Sequence, residues 1–297
     1  MLRSQTILGL LMGGNSTSLS TLKSIEKIYN ISFIFTDHDS KEIIRYAKKN
    51  KAILYIGSPR SKSFDKFFQT TPIKKPDIIF AVGYKYIVNS NIYNFAKIIT
   101  LNIHGSLLPK YKGRGPLVRA IMNGDKFTGI TVHEIDDSCD GGRILFQKKI
   151  KLPSNFTGWQ MLKKYTKIYP KIIQICIEKV KRKNFKLIRQ KTNKNTYLSV
   201  TEEDRTINWN TNSKIIYNKI RAFSKPFNGS ITYFKNKKIY INDVKIIKIK
   251  KKMKFKNGTI LRVIKKRIHV KTNNNLLSIS FFNINDLKFI LINDRFI

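Results

Sequence analysis

Short apolar runs alternate with segments of helical periodicity along the amino-terminal part of the chain. Runs of four to eight apolar residues predict buried strands, whereas apolar positions three and four apart predict helices. Strands separated by helices indicate crossover connections and a mostly parallel, Rossmann-like sheet of the α/β class. The predicted elements are strands at 7–12, 31–36, 52–56 and 77–82, with a helical pattern from Leu19 and a helix at 41–51.

The middle of the chain continues this pattern with longer elements. The apolar run that starts at Ile98 ends in a loop, and a helix at 116–123 begins with Pro116 in its first turn. Two further strands are predicted at 130–135 and 143–150, followed by a long amphipathic helix at 157–183 that we expect Pro170 to interrupt.

From Ile231 onward the chain changes to short β-patterns separated by turn residues, which is typical of a small barrel. A basic, asparagine-containing stretch precedes this part and predicts a domain boundary. We therefore predict a catalytic domain at 1–190, a linker at 191–204 and a β-domain at 205–297.

Composition limits the classes of protein that fit. A chain of 297 residues with 41% hydrophobic content can build two modest cores. The only cysteines, Cys139 and Cys176, give neither a disulfide framework nor zinc-ligand spacing, so no metal is predicted and a reduced, cytoplasmic location is expected. The apolar run at 7–12 is too short to span a bilayer, so we predict no membrane association.

The chain has a net charge of +40, from 58 basic and 18 acidic residues. Such a charge attracts nucleic acid or phosphorylated ligands. Lysine, asparagine and isoleucine nevertheless recur together throughout, as AT-rich codon usage would produce. A crowded run of lysines lacks the interleaved aromatics of a stacking platform, so both interpretations stay open; its members are Lys248, Lys250, Lys251, Lys252, Lys254 and Lys256.

Three polar residues are the best candidates for chemistry. Asn102 and His104 are two positions apart on a predicted strand, so their side chains share a face near the carboxyl end of the sheet, where α/β proteins bind ligands. Asp140 lies in the loop between the two following strands, which can return it to His104. An imidazole can accept a proton, an amide can stabilise an oxyanion, and a carboxylate can orient the ring. A polar strand end beside a glycine-rich turn is the alternative.

Four longer motifs surround these residues: 102–116 (NIHGSLLPKYKGRGP), 120–125 (AIMNGD), 128–133 (TGITVH) and 140–142 (DGG). Together they resemble the catalytic core of the formyltransferases that use 10-formyltetrahydrofolate. The segments 201–209 (TEEDRTINW) and 220–226 (IRAFSKP) resemble the entry to the carboxy-terminal domain of the methionyl-tRNA and nucleotide-sugar members. The smaller glycinamide ribonucleotide formyltransferases lack such a domain.

The resemblance implies an OB-like barrel for the carboxy-terminal domain and assigns roles to individual residues. Asn102, His104 and Asp140 match the catalytic set of that family. The folate co-substrate would contact two segments, largely through backbone groups; their predicted members are Gly83, Tyr84, Asp136, Asp137 and Ser138.

Three further residues beside the predicted site could meet the acceptor. Ser106 could assist a proton or a water, although a polar turn role also fits. Arg114 and Arg119 flank a helix start and are suited to a phosphate, because guanidinium groups bind it in a forked geometry. For His133, which alternates along a predicted strand, we expect a structural role.

The resemblance implies formyl transfer to a primary amine and leaves two acceptors. One is a nucleotide-linked amino sugar, and the other is methionine on initiator tRNA. The tRNA enzymes are expected to carry an extended basic loop after the second strand, whereas residues 35–41 here pass almost directly into helix, which favours the sugar. A nucleic-acid-binding module without catalysis is a third interpretation, and a homodimer is left open.

Overall fold

The computed structural model describes residues 4–183, 185–191, 196–250, 253–264, 266–281, 283, 285 and 290–296. Lys251, Lys252 and residues 192–195 of the predicted linker lie outside the described residues. The first elements are β1 (Ser4–Met12), α1 (Ser16–Ile25), β2 (Tyr29–Thr36), α2 (Lys41–Lys49), β3 (Leu54–Ile56), α3 (Lys62–Thr70), β4 (Ile78–Val82), α4 (Ser90–Tyr93), β5 (Ile99–His104), β6 (Lys112–Gly113) and α5 (Pro116–Met122). They are followed by β7 (Phe127–Glu134), β8 (Ile144–Lys151), α6 (Gly158–Lys181), β9 (Thr196–Tyr197), α7 (Glu202–Arg205), α8 (Ser213–Phe223), β10 (Ser230–Phe234), β11 (Lys237–Ile247), β12 (Ile260–Ile264), β13 (Arg267–Lys271) and β14 (Leu276–Phe281).

The described chain forms two compact units. The first takes its residues from within 1–113, 129–150 and 162–197, and the second from within 114–128, 151–161 and 198–297. Two residues of the predicted linker form β9, which pairs in parallel with β6 inside the first unit. The division into 1–190, 191–204 and 205–297 stays a prediction.

A seven-stranded sheet in the order β3-β2-β1-β4-β5-β7-β8 organises the first unit. Strands β1 to β5 run in parallel, and β7 is antiparallel to β5. The strand order reverses direction between β1 and β4, and in open α/β sheets ligands bind outside the carboxyl ends at such a point. The predicted mostly parallel sheet is thereby confirmed.

Aromatic packing fills one side of this sheet. Phe33 and Phe35 stack with ring centroids 4.1 Å apart, and Phe64 of α3 meets Phe35 edge to face at 5.3 Å. Helix α3 is not among the elements predicted from the sequence. Its signal is the spacing of Phe64, Phe67 and Phe68, which places three rings on one helical face.

The expected interruption of α6 at Pro170 is wrong. The helix runs unbroken through Pro170, although proline cannot donate to the carbonyl four residues earlier. Buried residues on both sides of the proline, among them Tyr165, Tyr169, Ile172 and Ile173, pack along one face of the helix. Their burial offsets the missing hydrogen bond, since most helical stability in proteins comes from packing.

No helix within the described residues is long and apolar enough to cross a membrane.

The second unit is built on a five-stranded antiparallel sheet in the order β10-β11-β14-β13-β12. Trp209 stacks on Phe296 with ring centroids 5.4 Å apart and donates from Nε1 to Thr232. The predicted β-rich carboxy-terminal part is confirmed, and its OB-like character stays a prediction.

The buried guanidinium of Arg221 forms hydrogen bonds to separate segments of the second unit. Arg221 of α8 is 3% exposed. It donates to Asn218 Oδ1 at 2.9 Å, to the carbonyl of Phe156 at 2.6 Å and to that of Ile121 at 3.4 Å. These acceptors belong to three stretches of chain, so this side chain fixes α5 and the start of α6 to α8.

We expect Arg221→Met to lower the free energy of unfolding of this unit by about 2 kcal/mol, because buried carbonyls lose a charged donor. Both tryptophans, Trp159 and Trp209, lie in the second unit, so urea unfolding followed by tryptophan fluorescence reports on it. The exposed Arg262→Met is the control and should stay within about 0.5 kcal/mol of the parent. Equal stability of the two variants would contradict the role given to Arg221.

Candidate active site

Asn102 and His104 lie at the carboxyl end of β5, on one face of the sheet. In the antiparallel pairing of β5 with β7, Asn102 stands directly opposite His133. Directly opposed side chains in such a pair share a face, so the register sets two imidazoles and an amide side by side. The ring centroids of His104 and His133 are 6.4 Å apart.

The loop between β7 and β8 brings Asp140 to this group. Its Oδ2 accepts from the backbone N–H of Gly113 at 2.7 Å and lies 3.5 Å from His104 Nδ1. Its Oδ1 accepts from Asn102 Nδ2 at 3.1 Å and lies 3.4 Å from His133 Nε2. The structure therefore brings together Asn102, His104 and Asp140, which are separated in sequence.

The environment of Asp140 keeps the carboxylate charged. Burial by itself raises its pKa, but the rings of His104 and His133 and the N–H of Gly113 together hold the pKa well below the usual range. Burial lowers the pKa of His104, and the negative charge of Asp140 opposes that shift only in part. At neutral pH the site is thus set up with an ionised acid and an uncharged imidazole.

Hydrogen bonds fix which nitrogens of the two histidines can donate. His104 Nε2 lies 2.9 Å from the carbonyl of Tyr111, and a carbonyl only accepts, so Nε2 carries a proton in this conformation. His133 Nδ1 likewise donates to the carbonyl of Glu134 at 2.8 Å, which leaves His133 Nε2 to accept from Asn102 Nδ2 at 3.1 Å. His133 is 3% exposed and belongs to the same hydrogen-bonded group as the predicted catalytic residues.

Gly83 and Tyr84 directly follow β4, at the point where the strand order reverses. Val82 pairs with Ile103 of β5, so Gly83 lies level with the end of that strand. Its φ of +63° favours glycine, and Gly13 approaches so closely that a Cβ there would meet the Gly83 carbonyl at 1.8 Å. The hydroxyl of Tyr84 is buried without a hydrogen-bond partner among the described residues.

The predicted folate loop forms hydrogen bonds within itself and to α4. Asp136 accepts from the backbone N–H of Ser138 at 2.9 Å, and Asp137 accepts from the hydroxyl of Tyr93 at 2.8 Å. Tyr93 is the last residue of α4, and Gly83 lies in the connection between β4 and α4. This contact therefore links the loop to the helix that follows Gly83. The two predicted folate segments thus belong to adjoining parts of the same unit.

The predicted acceptor residues are engaged in other contacts. Ser106 is 1% exposed and donates to the carbonyl of Lys110 at 2.6 Å, which closes the loop after β5. In the second unit, Arg119 donates to the carbonyl of Leu198 at 3.1 Å and lies 3.4 Å from Asp204. Arg114 donates to Ser199 at 3.3 Å. Their roles toward a substrate stay predictions.

Sequence reasoning missed two side chains at this site. The position of His133 opposite Asn102 depends on the strand register, which its alternation alone could not supply. Gln190 donates from Nε2 to the carbonyls of Asp140 at 2.9 Å and Gly142 at 2.8 Å. It lies in a stretch that composition indicated to be loop, and no local motif marks it.

Comparison with known proteins places the chain in a family. Residues 17–175 match the formyl transferase family model, and residues 199–291 match that of the formyl transferase carboxy-terminal domain. The chain is 32% identical over 226 residues to the bifunctional polymyxin resistance protein ArnA of Wigglesworthia glossinidia brevipalpis, covering 74% of this chain and 34% of that protein. It is 32% identical over 210 residues to the methionyl-tRNA formyltransferase of Kosmotoga olearia, covering 68% of each.

Solved structures share the fold at lower identity. WlaRD, a sugar 3N-formyl transferase solved in the presence of dTDP and 5-N-formyl-THF, has a TM-score of 0.69 at 21% identity and covers 94% of this chain and 98% of its own. The N-formyltransferase from Helicobacter canadensis in complex with folinic acid and dTDP-3-aminofucose gives 0.70 at 18% identity, covering 93% and 99%. HypX from Aquifex aeolicus with tetrahydrofolic acid gives 0.64 at 19%, and this chain spans 43% of it.

These matches confirm the family that the sequence motifs indicated. The first family model alone covers more than half of the chain, and the second covers most of the remainder. The chain belongs to the formyl transferase family.

Proposed function

We propose that this protein transfers the formyl group of 10-formyltetrahydrofolate to the amino group of a nucleotide-linked amino sugar. The observation that carries formyl transfer is the convergence of Asn102 and His104 on the carboxylate of Asp140, which is 14% exposed, at the carboxyl end of the sheet. An uncharged imidazole beside an ionised acid is suited to accept a proton from an attacking amine. A binding module would have no use for that arrangement.

In the proposed reaction the amine nitrogen bonds to the formyl carbon and forms a tetrahedral intermediate. The bond from that carbon to the folate nitrogen then breaks, and the folate nitrogen takes up a proton. When the amine replaces the Tyr111 carbonyl as the partner of His104 Nε2, the neutral ring changes tautomer: Nε2 releases its proton to solvent, Nδ1 takes one up, and Nδ1–H donates to Asp140. Nε2 then has the lone pair that accepts the amine proton, and the carboxylate stabilises the resulting imidazolium.

Asn102 has the oxyanion role in this proposal. Its Nδ2 donates to Asp140 and to His133 in the present conformation. One of these N–H groups must turn to the formyl oxygen as negative charge develops there. Such a donor contributes most when it acts in a buried site, where water does not screen it.

The proposal that 10-formyltetrahydrofolate is the formyl donor is supported by the family and by the location of Gly83 and Tyr84 where the strand order reverses. Backbone groups are exposed to a ligand where strands end, and a flat heterocycle can pack against Tyr84. Three structural relatives were solved with folate derivatives. The Asp136 to Ser138 segment would supply the remaining contacts.

The link between β2 and α2 favours the sugar over tRNA. It has only four residues, 37–40, and hydrogen bonds and ion pairs hold it in place. Ser40 donates to the buried Asp37 at 2.9 Å, and Lys85 lies 3.1 Å from Asp37 and 2.6 Å from Asp39. An extended basic loop for an acceptor stem is therefore absent at this place. The sugar formyltransferases with whole-chain structural similarity fit this acceptor.

Methionyl-tRNA is the second candidate acceptor. The identity to a methionyl-tRNA formyltransferase and the net charge of +40 favour it. Four lysines of the predicted basic run are exposed and therefore accessible to a polyanion such as tRNA. These are Lys248, Lys250, Lys254 and Lys256.

We expect His104→Ala and Asp140→Asn each to lower the turnover of formyl transfer by about 10²- to 10⁴-fold, because the proton acceptor or its orienting charge is lost. Transfer is measured by mass spectrometry of the acceptor, and circular dichroism checks the fold. His269→Gln, in the second unit, is the matched control and should keep parental turnover. Near-parental rates in both site variants would refute the catalytic assignment.

The pH dependence of kcat/KM should follow the neutral form of His104. Because its pKa is lowered, the ring stays uncharged through the usual imidazole range, and activity is lost only as the pH falls below that range. A profile between about pH 5 and pH 8 tests this. An acid limb at or above the ordinary midpoint of about 6.5 would contradict the base role.

Purified protein with 10-formyltetrahydrofolate and each acceptor tests the substrate. We expect a formylated product with nucleotide-linked amino sugars and none with methionyl initiator tRNA, because the link at 37–40 offers no loop to the acceptor stem. Formylation of the charged tRNA alone would replace the sugar with the second candidate. Formylation of neither would overturn formyl transfer.

A further inference from the structure

Gln190 holds the backbone of the turn that carries Asp140. Its two Nε2 hydrogens are directed at two carbonyls, those of Asp140 at 2.9 Å and Gly142 at 2.8 Å. Both partners only accept, so the amide orientation is fixed by chemistry. The Oε1 atom of Gln190 is buried and has no hydrogen-bond partner among the described residues. The side chain therefore makes no other described hydrogen bond.

The turn that Gln190 spans has an unfavourable backbone. Asp140 has a φ of +49°, in the left-handed region that L-residues with a side chain rarely occupy. At the base of the loop, the N–H of Glu134 donates to the carbonyl of Arg143 at 2.9 Å. That bond closes the loop but leaves the turn at 140–142 to be fixed by other contacts, and Gln190 supplies one to the Asp140 carbonyl and one to the Gly142 carbonyl.

A short bridge places Gln190 at the turn. Ile188 and Ile144 exchange both backbone hydrogen bonds, at 2.7 Å and 2.9 Å, in an antiparallel pair at the start of β8. Two residues further along, the side-chain amide of Gln190 reaches the turn that precedes β8. The segment after α6 thus serves as a brace for the loop.

We propose that Gln190 is a positioning residue for the reaction: by fixing the Asp140–Gly142 turn, it keeps the Asp140 carboxylate against His104 and Asn102. The proposal deepens the proposed function and rests on it for the effect on turnover. Movement of this peptide would carry the carboxylate away from His104 Nδ1, now 3.5 Å from Oδ2. The titratable groups facing His104 are Asp140 and His133, so displacement of the acid leaves the imidazolium without its counter-charge.

The test is Gln190→Met, which keeps the length of the side chain and its neutrality but removes both donors. Thr17→Val is the matched control, since it removes a side-chain hydrogen bond to Thr166 in the same unit without touching the loop. Two readouts are compared: turnover, and the titration of the His104 ring by NMR. The chain has only four histidines, so selective labelling resolves the ring.

We expect Gln190→Met to lower turnover by about ten- to a hundredfold, as small displacements in an active site do. The His104 midpoint should move to lower pH, in the same direction as in Asp140→Asn, because the carboxylate no longer favours the charged ring. Thr17→Val should lose stability without either effect. Gln190→Asn, one methylene too short, provides a milder variant and should shift the midpoint in the same direction.

An unchanged His104 midpoint in both folded Gln190 variants would overturn the positioning role. The titration needs no substrate, so it separates the two proposals. If the parent protein formylates no acceptor while Gln190→Met still moves the His104 midpoint, the proposed function is refuted and the positioning of Asp140 by Gln190 is retained.

Discussion

The negative charge of Asp140 is the constraint on which this site depends. A carboxylate removed from water is costly unless hydrogen bonds and opposite charge replace its hydration. Here the N–H of Gly113 and the amide of Asn102 donate to its two oxygens, and two imidazole rings lie beside them. The Tyr111 and Glu134 carbonyls hold those rings by their other nitrogens, so the acid and these backbone groups together set the orientation of the site.

That constraint also explains why the site draws on so many segments. Asn102 and His104 come from β5, His133 from β7, Gly113 from β6 and Asp140 from the loop before β8. The parallel strand β5 ends with the first pair at the edge where ligands bind. The antiparallel β7 begins at that edge and runs away from it, so that His133 lies opposite Asn102, and the following loop brings Asp140 back to both. The segment after α6 adds support for the loop through its backbone bridge and one glutamine amide.

The large positive charge has no comparable organising role in the described residues. Several lysines pair with one acid at the surface, as Lys97 does with Asp77 at 3.1 Å and Lys238 with Glu202 at 2.7 Å. Exposed pairs of this kind contribute little to stability. The proposed catalytic groups are instead neutral and acidic side chains, so the net charge and the proposed reaction can be considered separately.

Local pattern by itself determined the main strands of the first sheet, the longer helices α2, α5 and α6, the α/β class and the three residues able to do proton-transfer chemistry, because periodicity and spacing are properties of neighbouring positions. It could not supply strand register, which decides that His133 faces Asn102, nor the course of the segment after α6, which carries Gln190 to the Asp140 turn. It also misjudged Pro170, because the burial of Tyr165 and Ile173 on either side outweighs one lost hydrogen bond. Contacts between residues distant in sequence depend on how whole elements pack, and only the tertiary structure contains that information.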